Sequence, residues 1–520
     1  MQNAETSYQE THATAKYFSS SEKLFQNLLL SLKTLSGENS SLDAIETCIS
    51  DGLFTIGAGL MQEAVDIAAS SKAVEPVIGS DGEERGYSRR EPKSFITKYG
   101  KIIADRYRYE GKGCASIAPF DAHSNLPHMA YSYGVQKCIA REAALCSYEE
   151  SIETVKNHIG VGVPKRQAEG IAQSVSSNAD QYYKDTMLAI SPEKTAEILV
   201  QSYDGKGIPM LQESLREETA AAQSKLPVDQ LGKKFKRGLG KHKKRSAQVS
   251  AVYTVAPFQR SKEEIIAAIF SEKRYENKRP KPENKQVSAS IAKPRKQVIE
   301  AGFLEAFKRD PKLTKKWVVL VDGDPGQIDI IENLSKNRSE PVTIVVDLLH
   351  VLSYLWKAGK KICKNTKEEL HPWVKYYLRL LLEGKSHQVE RQLCKLLNTL
   401  DLNTKSRKVV LKFMVYLKNH HKYLCYDKYI NDGCPICTGV IEGACRYLVR
   451  DRMEKTGCRW SLSGAEAILY LRALVKNGDF DEYWEYHMAK EFEKNHQSRF
   501  KNGILPKMDK AIPGTELRLM

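Results

Sequence analysis

Three aspartates in the middle of the chain each follow a short apolar stretch, and this pattern favours metal chemistry. The stretches and the aspartates after them are 198–203 with Asp204, 317–321 with Asp322, and 342–346 with Asp347. Continuous apolar strands are typical of a sheet covered on both faces, and ligands bind beyond the carboxyl ends of its parallel strands. Because Mg²⁺ prefers carboxylate oxygens, these residues predict a magnesium site at one edge of a sheet.

A fourth acid, Glu442, lies in a stretch with helical character that Thr438 can cap. Strands with aspartates at their ends, an intervening helix and a later helical acid follow the order of a ribonuclease H-like fold. In that fold the acids meet at one edge of the sheet. Two divalent ions about 4 Å apart can stabilise both the attacking and the leaving oxygen of a phosphodiester displacement.

The composition indicates a polyanionic partner. The 520 residues include 80 Lys and Arg against 64 Asp and Glu, a formal net charge of +16, which favours nucleic acid over a membrane surface. No apolar run reaches the roughly 18 residues of a membrane span, and the first residues lack the pattern of a signal peptide. The 11 scattered cysteines do not make a disulfide framework, so we expect a cytoplasmic, nucleoid-associated protein and no membrane partner.

The first 190 residues predict a helical region followed by a DNA-binding region. Residues 77–90 read as a loop and residues 95–109 as a hairpin. Ser147 and Glu150 form a capping-box pattern, and a Gly-bearing turn then leads to Pro164 and a second helix. This outline matches a helix-turn-helix as well as a plain helical hairpin. As a helix-turn-helix, it would present Lys165 and Arg166 to DNA.

Two basic runs, residues 231–245 and 273–296, lie on either side of a predicted strand at 249–255. A charge run is usually a solvated surface, but their position beside Asp204 favours contact with phosphates. We expect a loop at 231–245. The candidate DNA-binding residues, beyond Lys165 and Arg166, are Lys233, Lys234, Lys236, Arg237, Lys243, Lys244, Arg245 and Arg450.

Seven blocks of the sequence resemble, in order, those of the ISKra-type insertion-sequence transposases. They are SYDGKGIPM, VSAVYTVAPF, WVVLVDG, VVDLLHVLSYLWKA, TGVIEGACRYLVRDRM, RWSLSGAEAILYLRAL and NGDFDEYW, within residues 91–484. The resemblance implies a DDE transposase, with divalent metal and cut-and-insert chemistry at the ends of its own element. The implied partners are double-stranded DNA, as terminal inverted repeats and target DNA, and further copies of the chain in a homo-oligomer on DNA.

The resemblance also implies roles for single residues. Asp204 and Glu442 match the first and last acids, and Asp322 takes the place of the second by analogy with related folds. These three would be catalytic and would hold two Mg²⁺ ions, with Mn²⁺ as an alternative. Asp347 with His350 resembles a supporting pair, although Asp347 remains the alternative second acid. Arg446 is also assigned a supporting role.

The predicted fold class is an α/β catalytic domain with a ribonuclease H-like mixed sheet and an all-helical insertion, joined to a mainly helical N-terminal DNA-binding region. The expected divisions are 1–90 (helical), 91–190 (DNA-binding), 191–358 (first catalytic part), 359–432 (helical insertion), 433–490 (last catalytic part) and 491–520 (tail).

The sequence leaves three rival interpretations open. Cys434 and Cys437, with Cys445 and Cys458, suggest zinc, but only one CxxC pair exists and buried thiols are favoured. Asp322 and Asp324 match the Asp-x-Asp of haloacid dehalogenase-type phosphatases, although Gly326 stands where Thr or Val is expected. A DNA-binding protein derived from a transposase, without catalysis, is the third alternative.

Overall fold

The computed structural model describes residues 17–37, 40–185, 195–224, 243–271, 278–363 and 367–509. The helices are α1 (Ser19–Gly37), α2 (Leu42–Ala69), α3 (Pro119–His123), α4 (Tyr133–Leu145), α5 (Tyr148–Ile159), α6 (Lys165–Ser176), α7 (Ala179–Asp185), α8 (Glu217–Ser224), α9 (Lys262–Ile269), α10 (Arg295–Arg309), α11 (Pro325–Arg338), α12 (Leu348–Ile362), α13 (Lys367–Leu382), α14 (Ser386–Thr399), α15 (Thr404–His420), α16 (Tyr426–Asn431), α17 (Gly439–Ala444), α18 (Asp451–Met453), α19 (Leu462–Asn477) and α20 (Phe480–Asn495). The strands are β1 (Tyr87–Thr97), β2 (Gly100–Glu110), β3 (Ile198–Pro209), β4 (Lys244–Val255), β5 (Glu283–Ser290), β6 (Lys316–Val321) and β7 (Thr343–Val346).

The chain divides into two compact units, Met1–Tyr182 with Phe480–Met520, and Tyr183–Asp479. No helix among the described residues is both long and apolar enough to cross a membrane.

The first unit contains a β-hairpin and several helices. Helix α2 packs beside β2, where the Gln62 carboxamide accepts from the Ile103 amide at 3.0 Å and donates to its carbonyl at 2.8 Å. Helices α4, α5 and α6 pack on one another, and the predicted capping box of Ser147 and Glu150 is present at the start of α5. The helix pair outlined by the sequence is therefore part of a three-helix group.

The hairpin is longer than the sequence pattern predicts. Strand β1 begins at Tyr87, inside the segment 77–90 that was expected to be a loop. The polar residues there are paired across the strands rather than solvated alone, because Arg89 contacts Glu110 at 2.9 Å and Arg90 contacts Asp105 at 3.0 Å. Charge pairing across the two strands allows such a polar sequence to form a hairpin.

The second unit is built around a five-stranded mixed sheet with the strand order β5-β4-β3-β6-β7. Strands β3, β4 and β5 are antiparallel neighbours, whereas β6 and β7 run parallel to β3. Residues 318–321 of β6 are completely buried, as their continuous apolar character predicts. This mixed α/β arrangement is compatible with the predicted ribonuclease H-like domain.

Three strand predictions need correction. Strand β3 does not end before Asp204 but continues to Pro209, because β4 pairs with it over its whole length. Strand β4 begins at Lys244, so the end of the expected basic loop is strand, while residues 231–242 of that loop lie outside the described residues. Strand β5 lies inside the basic run 273–296, where lysines and prolines obscure its alternating pattern.

Helices α12 to α16 share the core of the sheet. Val318 of β6, Leu355 of α12, Leu378 of α13 and Phe413 of α15 are all fully buried in one hydrophobic cluster. The helical stretch predicted for residues 359–432 is thus present and packs as part of this unit.

A buried carboxylate holds the segment that leads into β6. Asp310 is completely buried and accepts hydrogen bonds from the Thr314 amide and hydroxyl, the Lys315 amide and the Trp317 indole, at 2.8 to 2.9 Å. Burial by itself would raise the pKa of Asp310, but these hydrogen bonds outweigh it and hold the pKa below its usual value.

We predict that Asp310→Ala lowers the free energy of unfolding by about 3 kcal/mol, because several buried donors lose their acceptor. A carboxyl whose folded pKa is depressed stabilises the protein above its unfolded pKa of about 3.9, so the difference from the parent should shrink as the pH falls below about 4. Denaturant unfolding followed by circular dichroism measures both effects. Asp329→Ala, at an exposed position on α11, is the control, and equal effects of the two variants would contradict the assignment.

Candidate active site

The parallel strands bring three aspartates to one level of the sheet. Ser202 of β3 pairs in register with Leu320 of β6, so two residues further on Asp204 corresponds to Asp322. Val321 of β6 pairs with Val346 of β7, so one residue further on Asp322 corresponds to Asp347. Asp204 lies where β6 no longer flanks β3, although β4 still does. Strand register thus places the three aspartates at one level, and the gathering of their carboxylates around a metal stays a prediction.

The turn after β6 holds Asp322 through backbone contacts. The Asp322 carboxylate accepts from the Asp324 amide at 3.0 Å, and the Tyr416 hydroxyl donates to the Asp322 carbonyl at 2.9 Å. Gly323 has a φ of +91°, and a Cβ there would lie 2.6 Å from the Tyr416 hydroxyl, so both backbone and space require glycine. His420 Nε2 lies 2.9 Å from the Gly323 carbonyl. Helix α15 therefore fixes the turn that presents Asp322.

Asp347 has a different environment from its two neighbours. It is only 3% exposed, its Oδ1 accepts from the Leu349 amide at 3.0 Å, and its Oδ2 accepts from the Thr438 hydroxyl at 2.6 Å. Burial raises the pKa of Asp347, while the hydrogen bonds from Thr438 and Leu349 oppose that rise. The side chain caps α12 and ties its start to the segment that precedes α17.

Thr438 corrects a sequence prediction. It occupies the N-cap position of α17, but its side chain makes no capping hydrogen bond and donates to Asp347 instead. The helix expected around Glu442 is also interrupted. A π-helical segment, Cys445–Arg450, follows α17. Such wide turns shift the side chains that follow them away from the positions of a regular helix.

Glu442 lies among the acids but remains accessible. Its helix, α17, packs against β3 and β4, and the residue is exposed at the surface. Partial burial raises the pKa of Glu442, and the charges of Asp347 and Asp204 raise it further, while His350 opposes the rise. Glu442 therefore lies within the electrostatic influence of two aspartates, whose repulsion a cation would relieve.

Cys445 connects the same helical region to Asp204. Its thiol donates to Asp204 Oδ2 at 3.3 Å, and the Gly205 amide donates to Oδ1 at 2.6 Å. Burial and the Asp204 carboxylate raise the pKa of the Cys445 thiol, so it remains a protonated donor. Asp204 is half-buried, which leaves this carboxylate open to solvent from one side.

The other candidates lie on helical segments that follow two members of the acidic cluster, by which we mean Asp204, Asp322, Asp347 and Glu442. His350 stands beside Tyr354 and Tyr416, with ring centroids 5.5 and 6.0 Å apart. Arg446 is 76% exposed and its Nε lies 3.7 Å from Asp451, so the described contact is with that residue. Arg450 is exposed on the same π-helical segment.

The basic candidates occupy several elements. Lys165 and Arg166 are exposed at the start of α6, where Lys165 pairs with Glu149. Lys244 pairs with Glu454 at 2.8 Å, and Arg245 donates to the Ile291 carbonyl at 3.1 Å. Lys243 precedes β4, whereas Lys233, Lys234, Lys236 and Arg237 lie outside the described residues.

The residues of the rival zinc and phosphatase sites make other contacts. All 11 cysteines are free thiols, and burial raises the pKa of Cys437 to about 12. Asp324, the second acid of the Asp-x-Asp pattern, caps α11 through the Gln327 amide and pairs with Arg295 at 2.7 Å. A phosphatase needs that carboxylate free to exchange protons, so its use as a cap and ion-pair partner disfavours the phosphatase interpretation.

Sequence reasoning missed the contacts that Tyr416, His420 and Thr438 make with the site. Tyr416 and His420 are four residues apart, hence on one face of α15, and both contact the turn after β6. The spacing was visible in the sequence, but it does not reveal which turn the face meets. Thr438 was noticed only as a cap.

We predict that Asp347→Asn folds with a melting temperature equal to or above that of the parent at pH 7, because an amide keeps the cap and removes a buried charge. Asp347→Ala should lose about 1–2 kcal/mol with the cap. Because the folded pKa of Asp347 is raised, lowering the pH favours the folded parent, and the advantage of the Asn variant should shrink as pH falls. Thermal unfolding at several pH values tests this, and an Asn variant as unstable as the Ala variant would refute it.

Comparison with known proteins gives little further information. No protein-family model matches the chain, and no curated protein matches it. Among solved structures, the Drosophila P element transposase strand transfer complex is similar over 76% of this chain and 85% of that chain, at 9% sequence identity and a TM-score of 0.21. A likeness at this TM-score supports no conclusion about fold or function, so the functional inference depends on the residues themselves.

Proposed function

We propose that this chain is a DDE transposase of the ISKra type, which cleaves DNA strands and transfers them at the ends of an insertion sequence. The observation that supports this most directly is the common register level of Asp204 and Asp322 on adjacent parallel strands. Burial raises the pKa of Glu442, and the charges of Asp347 and Asp204, which are close enough to act on it, raise this pKa further. The seven sequence blocks contribute the family resemblance.

The donor set fits a hard divalent cation. Asp204 and Asp322 are half-buried and Glu442 is exposed, so solvent reaches each of these residues. All are oxygen donors, as Mg²⁺ or Mn²⁺ requires, and positive charge would relieve the repulsion that Asp204 exerts on Glu442. In the proposed enzyme, Asp204, Asp322 and Glu442 hold two such ions. When bound, the ions supply charge stabilisation to the attacking and leaving oxygens of the phosphodiester.

The protein's own residues position these carboxylates. Cys445 orients Asp204 through its thiol, and Tyr416 and His420 fix the turn that carries Asp322. Asp347 acts as a supporting residue, because it is only 3% exposed and burial raises its pKa. We assign His350 a supporting role as well, since it opposes the raised pKa of both Asp347 and Glu442.

The proposed substrate is double-stranded DNA, bound by other parts of the chain. Arg166 is exposed at the amino end of α6, and with Lys165 it would recognise the terminal inverted repeats. The residues of the basic runs would follow phosphates. We further propose that helices α13 to α16 form the insertion expected before the last acid, and that the chain acts as a homo-oligomer on DNA.

We predict that Asp322→Asn abolishes metal-dependent strand cleavage and leaves DNA binding unchanged or slightly tighter, because the variant keeps the shape but removes a negative metal ligand near phosphate. Asp204→Asn and Glu442→Gln should behave alike. Nicking and gel-shift assays on an oligonucleotide carrying the element's terminal repeat measure both properties. Asp329→Asn, on the exposed face of α11, is the matched control.

Each outcome of this test has a clear meaning. If Asp322→Asn cleaves like the parent, the second acid is wrong and Asp347 is the next candidate. If the parent binds DNA but never cleaves it with Mg²⁺ or Mn²⁺, the chain is a DNA-binding protein without catalysis.

Replacing both Lys165 and Arg166 by Ala should have the reverse effect of Asp322→Asn, with end recognition abolished and non-specific nicking kept. Lys336→Ala with Lys361→Ala, at exposed helical positions, controls for the removal of two positive charges.

We also predict that neutralising Lys233, Lys234, Lys236 and Arg237 weakens binding to all DNA sequences. The slope of log affinity against log salt should fall by about 0.9 for each phosphate that the variant no longer neutralises. Binding measured over a series of salt concentrations determines the slope for parent and variant. An unchanged slope would mean that this run is a solvated surface.

A further inference from the structure

A second cluster of ligand-type side chains lies among the helices that follow β7. His387 and Glu390 are three residues apart on α14, so they share one face of that helix. His421 directly follows α15, which packs against α14. Among all the residues that the structure describes, these three form the one group of His, Cys, Asp or Glu whose ligand atoms all lie within 4.8 Å of one another.

We propose that His387, Glu390 and His421 form a transition-metal site, with Zn²⁺ as the expected ion. Two imidazole nitrogens and one carboxylate oxygen suit zinc and its first-row neighbours, whereas Mg²⁺ and Ca²⁺ take oxygen ligands. Water would complete the coordination, because the protein offers three ligands. The site shares no residue with the acidic cluster and does not depend on the proposed transposase activity.

The detailed contacts of His421 resemble those of a metal-ligating histidine. Its Nε2 lies 2.7 Å from Glu390 Oε2, so the two prospective ligand atoms face each other. Its Nδ1 lies 2.9 Å from the hydroxyl of Ser386, a residue that is only 2% exposed. A hydroxyl can donate to this nitrogen or accept from it, so Ser386 supports the ring whether or not Nε2 carries a proton. Metal-ligating histidines generally have such a partner on their other nitrogen.

The two imidazole rings lie face to face. They stack with centroids 3.6 Å apart and an angle of 30° between the planes. Both rings therefore stand at the contact between α14 and the residue that follows α15, where one ion could reach a nitrogen of each.

A metal at this place would connect two helices and stabilise the turn after β6. His421 is the next residue after His420, whose ring contacts the Gly323 carbonyl beside Asp322. An ion held by α14 and His421 would fix the end of α15, and with it one support of that turn. We therefore assign the metal a structural role.

The decisive experiment measures zinc binding to the full-length chain without DNA. The protein, stripped with a chelator, is titrated with Zn²⁺ in competition with a chromophoric chelator. His387→Gln, at an exposed position, and Glu390→Gln should each abolish one equivalent of tight binding. Ser386→Ala should weaken it about 10–100-fold, as expected for the loss of a hydrogen bond that supports a ligand. His158→Gln, an exposed histidine on α5, is the matched control and should bind like the parent.

Cobalt substitution separates this site from the cysteines. Co²⁺ bound by imidazole and carboxylate should give visible d–d bands without a thiolate charge-transfer band, and His387→Gln should remove them. Zn²⁺ should also raise the melting temperature of the parent and of His158→Gln, but not of His387→Gln, because a ligand that binds the folded state stabilises it.

Two results would overturn the site. One is a parent chain that binds no zinc at micromolar concentration, which would leave a hydrogen-bonded His–Glu pair. The other is binding that survives in both His387→Gln and Glu390→Gln, which would assign the metal to other residues. Neither depends on DNA cleavage, so the zinc site and the transposase proposal can fail separately.

Discussion

The negative charge of the carboxylates at one edge of the sheet is the constraint on which the neighbouring structure depends. Strand register places Asp204, Asp322 and Asp347 at one level, and α17 adds Glu442. Burial raises the pKa of Glu442, and the charges of Asp347 and Asp204 raise it further. Each aspartate also accepts a hydrogen bond from a nearby element, through Cys445, the Asp324 amide or Thr438. The site is thus assembled from parts far apart in sequence.

The helices after β7 are part of this assembly. Helix α12 begins on the Asp347 cap, and α15 supports the turn after β6 through Tyr416 and His420. Tyr416 also stacks on Tyr354 of α12, with ring centroids 4.6 Å apart. Because these helices share one hydrophobic core with the sheet, a shift of α15 would move the turn that carries Asp322.

The sequence was informative where local pattern and environment agree. The buried strands β6 and β7, the helix between them and the capping box at Ser147 were all predictable, because periodicity and capping chemistry act over a few residues. Strand β5 was missed because its residues are polar and lie within a basic run, and its pairing with β4 involves residues 29 to 42 positions away. Tertiary pairing of this kind overrides local propensity. Strand register likewise places the aspartates at one level. No spacing rule, however, predicts that the Thr438 side chain makes no capping bond and donates instead to Asp347, 91 residues earlier.

Burial separates the roles of two neighbouring aspartates that the sequence leaves equivalent. A metal ligand must be ionised and must keep an oxygen available. Asp347 is 3% exposed and burial raises its pKa, so ionising it and opening it to a ligand would both cost free energy. Asp322 is half-buried and its carboxylate accepts from a single backbone amide within the described residues. The charge of Asp347 then acts at a distance, by raising the pKa of Glu442, and a bound cation would reverse that effect. This difference favours Asp322 as the ligand and Asp347 as its support.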